Sequence, residues 1–143
     1  MREREVKKTL SEHLRADGFK LLDVRYRSRR GIDIEALCPE AGPKVYIEVK
    51  GERSGPNPQA KRRAALGEAL LQVLEVYDGF SVCAIALPDT RGFRSLVARV
   101  HPPLKALGIH VVFVDEKGFS HLGPDSPTPL PQPISSLRHV LCP

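Results

Sequence analysis

Two short runs constrain this chain most, Gly31–Ala36 (GIDIEA) and Val45–Gly51 (VYIEVKG), each alternating apolar and polar residues. A two-residue period is that of a half-buried strand. In the first run Ile32, Ile34 and Ala36 share one face, and Asp33 and Glu35 the other. In the second, Val45, Ile47 and Val49 oppose Tyr46, Glu48 and Lys50. The intervening CPEAGPK carries the prolines and glycine of a turn. A slip of one residue would turn every apolar side chain to water, so apposing the apolar faces fixes the register of a hairpin. That register predicts Asp33 beside Glu48 or Lys50 on one side of the sheet.

Two readings of that cluster follow from the residues alone. Neighbouring carboxylates repel each other, and a hard divalent cation such as Mg²⁺, with Mn²⁺ as substitute, relieves the repulsion. Mg²⁺ keeps several waters and needs only one or two carboxylates. Asp33 and Glu48 therefore suffice, with the backbone carbonyl of Val49 as a third ligand. Such an ion polarises a phosphoryl oxygen and acidifies a bound water. Lys50, on the same face, would orient that water or stabilise developing charge. The other reading is a cross-strand salt bridge between Lys50 and Asp33 or Glu48 on a solvated face.

Flanking segments supply the rest of the architecture. Arg2–Asp17 has the period of an amphipathic helix with Val6, Leu10 and Leu14 in one stripe, closed by Gly18. Glu3 falls on that stripe, whereas Glu5 and Glu12 point away. Lys20–Ser28 alternates as a first strand, residues 51–59 read as a loop over the site, and Lys61–Tyr77 as a helix burying Leu66, Leu70, Val73, Leu74 and Tyr77. Phe80–Leu87 is a continuous apolar run, as in a central strand. Phe93–Leu107 reads as a helix broken by Pro102 and Pro103, and Ile109–Asp115 as another strand. The last twenty residues hold six of the 13 prolines. They predict an extended strap or mobile tail, and residues 119–143 are taken together as the segment outside the core.

At 143 residues and 41% apolar composition the chain has the size of one soluble domain. No apolar run reaches membrane-span length, and the charged N-terminus is unlike a signal peptide. A cytoplasmic protein is expected. Cys38, Cys83 and Cys142 are odd in number and far apart, so neither a disulfide framework nor a zinc site is expected. The five histidines have no metal spacing, and no GK[ST] phosphate loop suggests a nucleotide cofactor. Net charge is +5. Arg25, Arg27, Arg29 and Arg30 precede Asp33 directly, while Arg53, Lys61, Arg62 and Arg63 follow Lys50. Both clusters would rim the site and contact phosphates without reading bases; as ordinary solvated charges they would do nothing.

In its order of elements the chain resembles the PD-(D/E)XK nuclease superfamily, with the restriction-endonuclease-like fold. GIDIEA and IEVKG carry the resemblance, supported by LRADGF (Leu14–Phe19), ALGEALLQVL (Ala65–Leu74), AIALPD (Ala84–Asp89) and LGIHVVFVDEKG (Leu107–Gly118). LRADGF is similar to the end of the first helix in Holliday-junction resolvases of the archaeal type. The resemblance covers about Arg2–Gly118, taken as the nuclease-like domain 1–118. It implies a three-layer α/β core, a mixed central sheet flanked by helices on both faces, and Mg²⁺-dependent hydrolysis of DNA phosphodiester bonds. Asp33, Glu48 and Lys50 would be the catalytic set, and a homodimer a frequent assembly. Ile32 stands where the family's proline would precede Asp33. Lys7 aligns with a first-helix acid that in many members helps hold the metal, which leaves Glu3 as the only helix acid to nominate. Glu68 replaces a common glutamine, with Gln72 one turn later on the same helix face; both would line the site. The alternative is a nucleic-acid-binding or assembly module that kept the fold without catalysis.

Overall fold

The computed structural model describes residues 1–26 and 31–143. Over these the chain is a mixed α/β protein with a seven-stranded sheet in sequential order and five helices.

Helix α1 (Glu3–Ala16) forms where the stripe predicts it, with Val6, Leu10 and Leu14 fully buried. Each such side chain stabilises the fold by about 2 kcal/mol relative to exposure. Gly18 ends the helix at φ +89, and Phe19 N–H returns to the Leu14 carbonyl at 3.0 Å. Strand β1 (Lys20–Val24) follows and pairs antiparallel with β2 (Ile34–Leu37) through a bulge between Leu21 and Asp23. Part of the strand expected over Lys20–Ser28 lies outside the described residues. Strand β3 (Lys44–Val49) pairs antiparallel with β2, with Ile34 opposite Ile47 and Ala36 opposite Val45. The apolar alternation therefore sets the register as expected, and one further step along the ladder brings Asp33 to Glu48.

Helix α2 (Pro58–Val76) crosses over to β4 (Val82–Pro88), which lies parallel to β3. Its buried residues are Ala65, Leu66, Ala69 and Val73, whereas Leu74 and Tyr77 remain largely exposed. The expected face is thus rotated, because the two alanines let the helix lie close against the sheet. Helices α3 (Arg91–Arg99) and α4 (His101–Leu107) return the chain to β5 (Ile109–Val114), parallel to β4. Pro102 and Pro103 open α4, where a missing N–H costs nothing, so the break falls at Val100. Alternate residues of β4 feed two cores. Ala84 and Ala86 join Val6, Leu10 and Leu14 on one side, while Cys83, Ile85 and Leu87 join Leu66, Val73, Phe93 and Leu104 on the other.

The C-terminal segment departs from expectation. Strands β6 (Phe119–Leu122) and β7 (Gln132–Ile134) extend the sheet antiparallel, and α5 (Leu137–Leu141) buries Leu137 and Leu141 in the same core as α1. Pro133 is tolerated because β7 is an edge strand. Leu137 N–H donates to Asp17 Oδ2 at 2.7 Å. Cys142 forms a disulfide with Cys38 at the end of β2, 104 residues away, correcting the expectation of unpaired cysteines; Cys83 is free and buried. Such bonds persist mainly in oxidising compartments. No described helix is long and apolar enough to cross a membrane.

Candidate active site

The site forms where the β2–β3 hairpin meets α1. Asp33 lies immediately before β2, and its N–H donates to Glu48 Oε1 at 3.3 Å. Asp33 Oδ2 accepts the Val49 N–H at 2.8 Å. The two carboxyls lie close enough to shift each other's titration in opposite directions. Glu48 is only 4% exposed. Burial, the hydrogen bond with Asp33 and the charge of Asp33 push its carboxyl up to about 9, against the attraction of Lys50. For Asp33 burial acts upward as well. The hydrogen bonds from Glu48, the Val49 amide and Lys7, with the Lys7 charge, outweigh it and hold Asp33 below the usual range. The result is one ionised and one protonated carboxyl, as in other closely apposed acid pairs.

The cation on this pair comes from α1. Lys7 Nζ lies 2.9 Å from Asp33 Oδ1, with its side chain 4% exposed. It also donates to the Arg25 carbonyl and lies 5.4 Å from the centre of the Tyr26 ring. The first helix thus presents a buried cation, and not an acid, to Asp33. A signal was present in the sequence: Lys7 sits three residues before Leu10 and seven before Leu14, beside the apolar stripe and facing inward. Glu3 is exposed. Among the described residues no group of three or more His, Cys, Asp or Glu side chains gathers as a metal cluster. Glu3 thus does not join the pair as a third ligand.

Lys50 is not bonded to Asp33 or Glu48. Its ammonium pairs with Glu68 Oε2 of α2 at 3.2 Å, an oxygen it shares with Arg53 at 2.5 Å. The hydrogen bond from Arg53 leads, ahead of that from Lys50, in holding the Glu68 carboxyl below its ordinary value against partial burial. The cross-strand salt bridge open to Lys50 is thereby replaced by a strand-to-helix bridge. Gln72, one turn on, is half-buried. Gly51, just past β3, lies against the backbone at the start of α1. A Cβ there would lie 1.9 Å from the Glu3 backbone nitrogen, so only glycine fits.

The basic residues divide. Arg25 is bound inward, donating to the Ile32 carbonyl and pairing with Asp23 at 3.0 Å and Glu35 at 3.7 Å. Arg27, Arg29 and Arg30 lie outside the described residues. Lys61 Nζ donates to the Ser54 carbonyl at 2.5 Å, and Arg62 pairs with Glu52 at 3.2 Å while lying over the Phe93 ring. Arg63 is exposed. Arg53, Lys61 and Arg62 thus crowd the loop from β3 into α2.

The residues present fit a hard divalent ion by the chemistry of their donors. Asp33 and Glu48 offer carboxyl oxygens, and burial beside Asp33 raises the Glu48 carboxyl, as expected of apposed acids lacking a cation between them. An ammonium already stands in as a cation on Asp33 Oδ1. Comparison of the chain with protein-family models, with curated proteins and with solved structures finds no match.

Proposed function

We propose that this chain is a metal-dependent phosphodiesterase acting on nucleic-acid backbones, with DNA as the first substrate to test. Its architecture would be a three-layer core similar to the restriction-endonuclease-like fold. The observation that carries the reading is the Asp33–Glu48 pair, two carboxyls brought together by the β2–β3 hairpin, with the Asp33 N–H on Glu48 Oε1 at 3.3 Å and the buried Lys7 ammonium 2.9 Å from Asp33. The two cores on opposite faces of the sheet support the layered fold.

Asp33, Glu48 and the Val49 carbonyl would hold Mg²⁺, or Mn²⁺ in its place. Bound there, the ion would polarise a phosphoryl oxygen and acidify a water. Lys50, on the same strand face as Glu48, stabilises charge on the scissile phosphate once a substrate phosphate competes with Glu68 for it. Arg53, Lys61, Arg62 and Arg63 neutralise flanking phosphates, and they supply affinity without base recognition. Shape recognition, a second copy of the chain or a partner would provide selectivity.

The second reading, a nucleic-acid-binding or assembly module without catalysis, draws on one observation: Lys7 already neutralises Asp33. Cleavage of supercoiled plasmid and branched DNA with Mg²⁺ or Mn²⁺ separates the two. The hydrolase reading expects cleavage by the wild type and its loss by orders of magnitude in Asp33→Asn and Glu48→Gln, with metal-free DNA affinity raised in Asp33→Asn, where a negative charge is gone, and held in Glu48→Gln, whose carboxyl already carries a proton. Wild-type protein that binds both DNAs and cuts neither with any metal would establish the binding module instead.

A further inference from the structure

We propose that the Lys7 ammonium is the resident counter-ion of the Asp33–Glu48 pair, seated where a divalent ion would sit and displaced when one binds. The proposal rests on the hydrolase reading for the identity of the incoming cation. Lys7 projects from the second turn of α1 to the place where the chain leaves β1 and enters β2. Its contacts there are the Asp33 carboxylate at 2.9 Å, the Arg25 carbonyl and the face of Tyr26. This is a complete seat for an ammonium: two oxygen acceptors and an aromatic face. With the side chain 4% exposed, no water shell screens it from Asp33.

A divalent ion on Asp33 would share that carboxylate with the ammonium, and the two positive charges would repel strongly at such separation. Only one of them occupies the pair at a time. The four-carbon stem of lysine is flexible enough to swing the ammonium out past Tyr26, which is 48% exposed at the rim. Lysine also explains how the pair folds without metal. An uncompensated buried aspartate would be costly, and Lys7 removes that cost before any ion arrives. The consequence is a site whose metal affinity is held down by its own side chain. Access to the ion is thereby coupled to the position of α1 and of Tyr26.

The test is calorimetric titration of Mn²⁺ and Mg²⁺ into the metal-stripped full chain without nucleic acid, comparing wild type with Lys7→Met and Lys7→Gln. Removing the competing charge should tighten binding by about tenfold or more, with Lys7→Glu tighter still because it adds a third carboxylate. Variants that bind no more tightly than wild type would overturn the proposal. If the variants fail to fold, wild-type protein decides. Reductive methylation read by mass spectrometry should spare Lys7 in chelator and modify it in saturating Mn²⁺, and equal modification under both conditions would overturn it. Cleavage is scored separately. Tighter metal binding by Lys7→Met, with DNA left uncut by both wild type and variant, would refute the hydrolase reading and keep the counter-ion.

Discussion

Replacing Glu48 with glutamine should change how stability depends on pH. Glu48 carries its proton up to about 9 in the native state, against an ordinary 4.5. Between those values the folded protein holds a proton that the unfolded chain has lost, so the folded state weakens as pH rises through the window. Asp33 acts with the opposite sign. Its lowered pKa contributes stability above 3.8 that is lost only in acid. His110, pushed down to about 4 by burial and by His121 alongside, also acts below neutrality, where the unfolded imidazole charges first. Between about pH 7 and 8.5 the Glu48–Asp33 pair is thus the main source of slope. At about 1.4 kcal/mol per pH unit, the wild type should lose about 2 kcal/mol across that interval. Glu48→Gln keeps the shape and hydrogen-bonding capacity of the side chain and removes the titration. Its stability should be nearly flat, exceeding the wild type increasingly toward the alkaline end. The assay is urea unfolding in chelator at half-unit pH steps with the disulfide intact. A wild-type profile that is flat or rises from pH 7 to 8.5, or a variant that falls in parallel with it, would refute the retention of a proton on Glu48.

Other consequences are local. Cys142→Ser should destabilise the non-reduced protein by about 4 kcal/mol, since the bond closes a loop of 104 residues; chemical denaturation with and without reductant checks it, and reductant should not affect the variant. Gly51→Ala should cost about 3 kcal/mol, because the added methyl meets the α1 backbone and not a yielding side chain; a thermal melt reads the loss. Arg53→Ala and Arg63→Ala should weaken binding to all DNA sequences alike and lower the salt dependence by about one unit of slope per lost phosphate contact. An unchanged slope would return both arginines to the solvated surface.

The hairpin was legible because its apolar and polar residues alternate without interruption, and a one-residue slip would have buried Asp33, Glu35 and Glu48 among aliphatic side chains. Helix α1 and strands β4 and β5 were legible for the same reason, each having a single apolar period or run. The C-terminal elements were not. Prolines dominate the composition there, yet they fall in turns and on an edge strand, and only Leu137 and Leu141, four residues apart, reveal the short helix. The Cys38–Cys142 bond depends on that helix docking, so no local pattern announces it. In α2 the large apolar residues suggested the buried face, but the close contact is made by Ala65 and Ala69, leaving Leu71 and Leu74 outward. The site was half legible. Strand period alone brought Asp33 to Glu48. Lys7 and Glu68 come from other elements, so they required the packing of α1 and α2 on the sheet, and Glu68 in turn draws Lys50 toward α2.

The most direct measurement of the central claim is a crystal of the wild-type chain soaked in Mn²⁺, with anomalous scattering examined beside Glu48. The account predicts a peak bonded to Asp33 and Glu48 oxygens at about 2.1–2.2 Å, with the Lys7 ammonium moved off Asp33. A soaked crystal with no peak between the two carboxyls, and Lys7 still on Asp33 Oδ1, would contradict it.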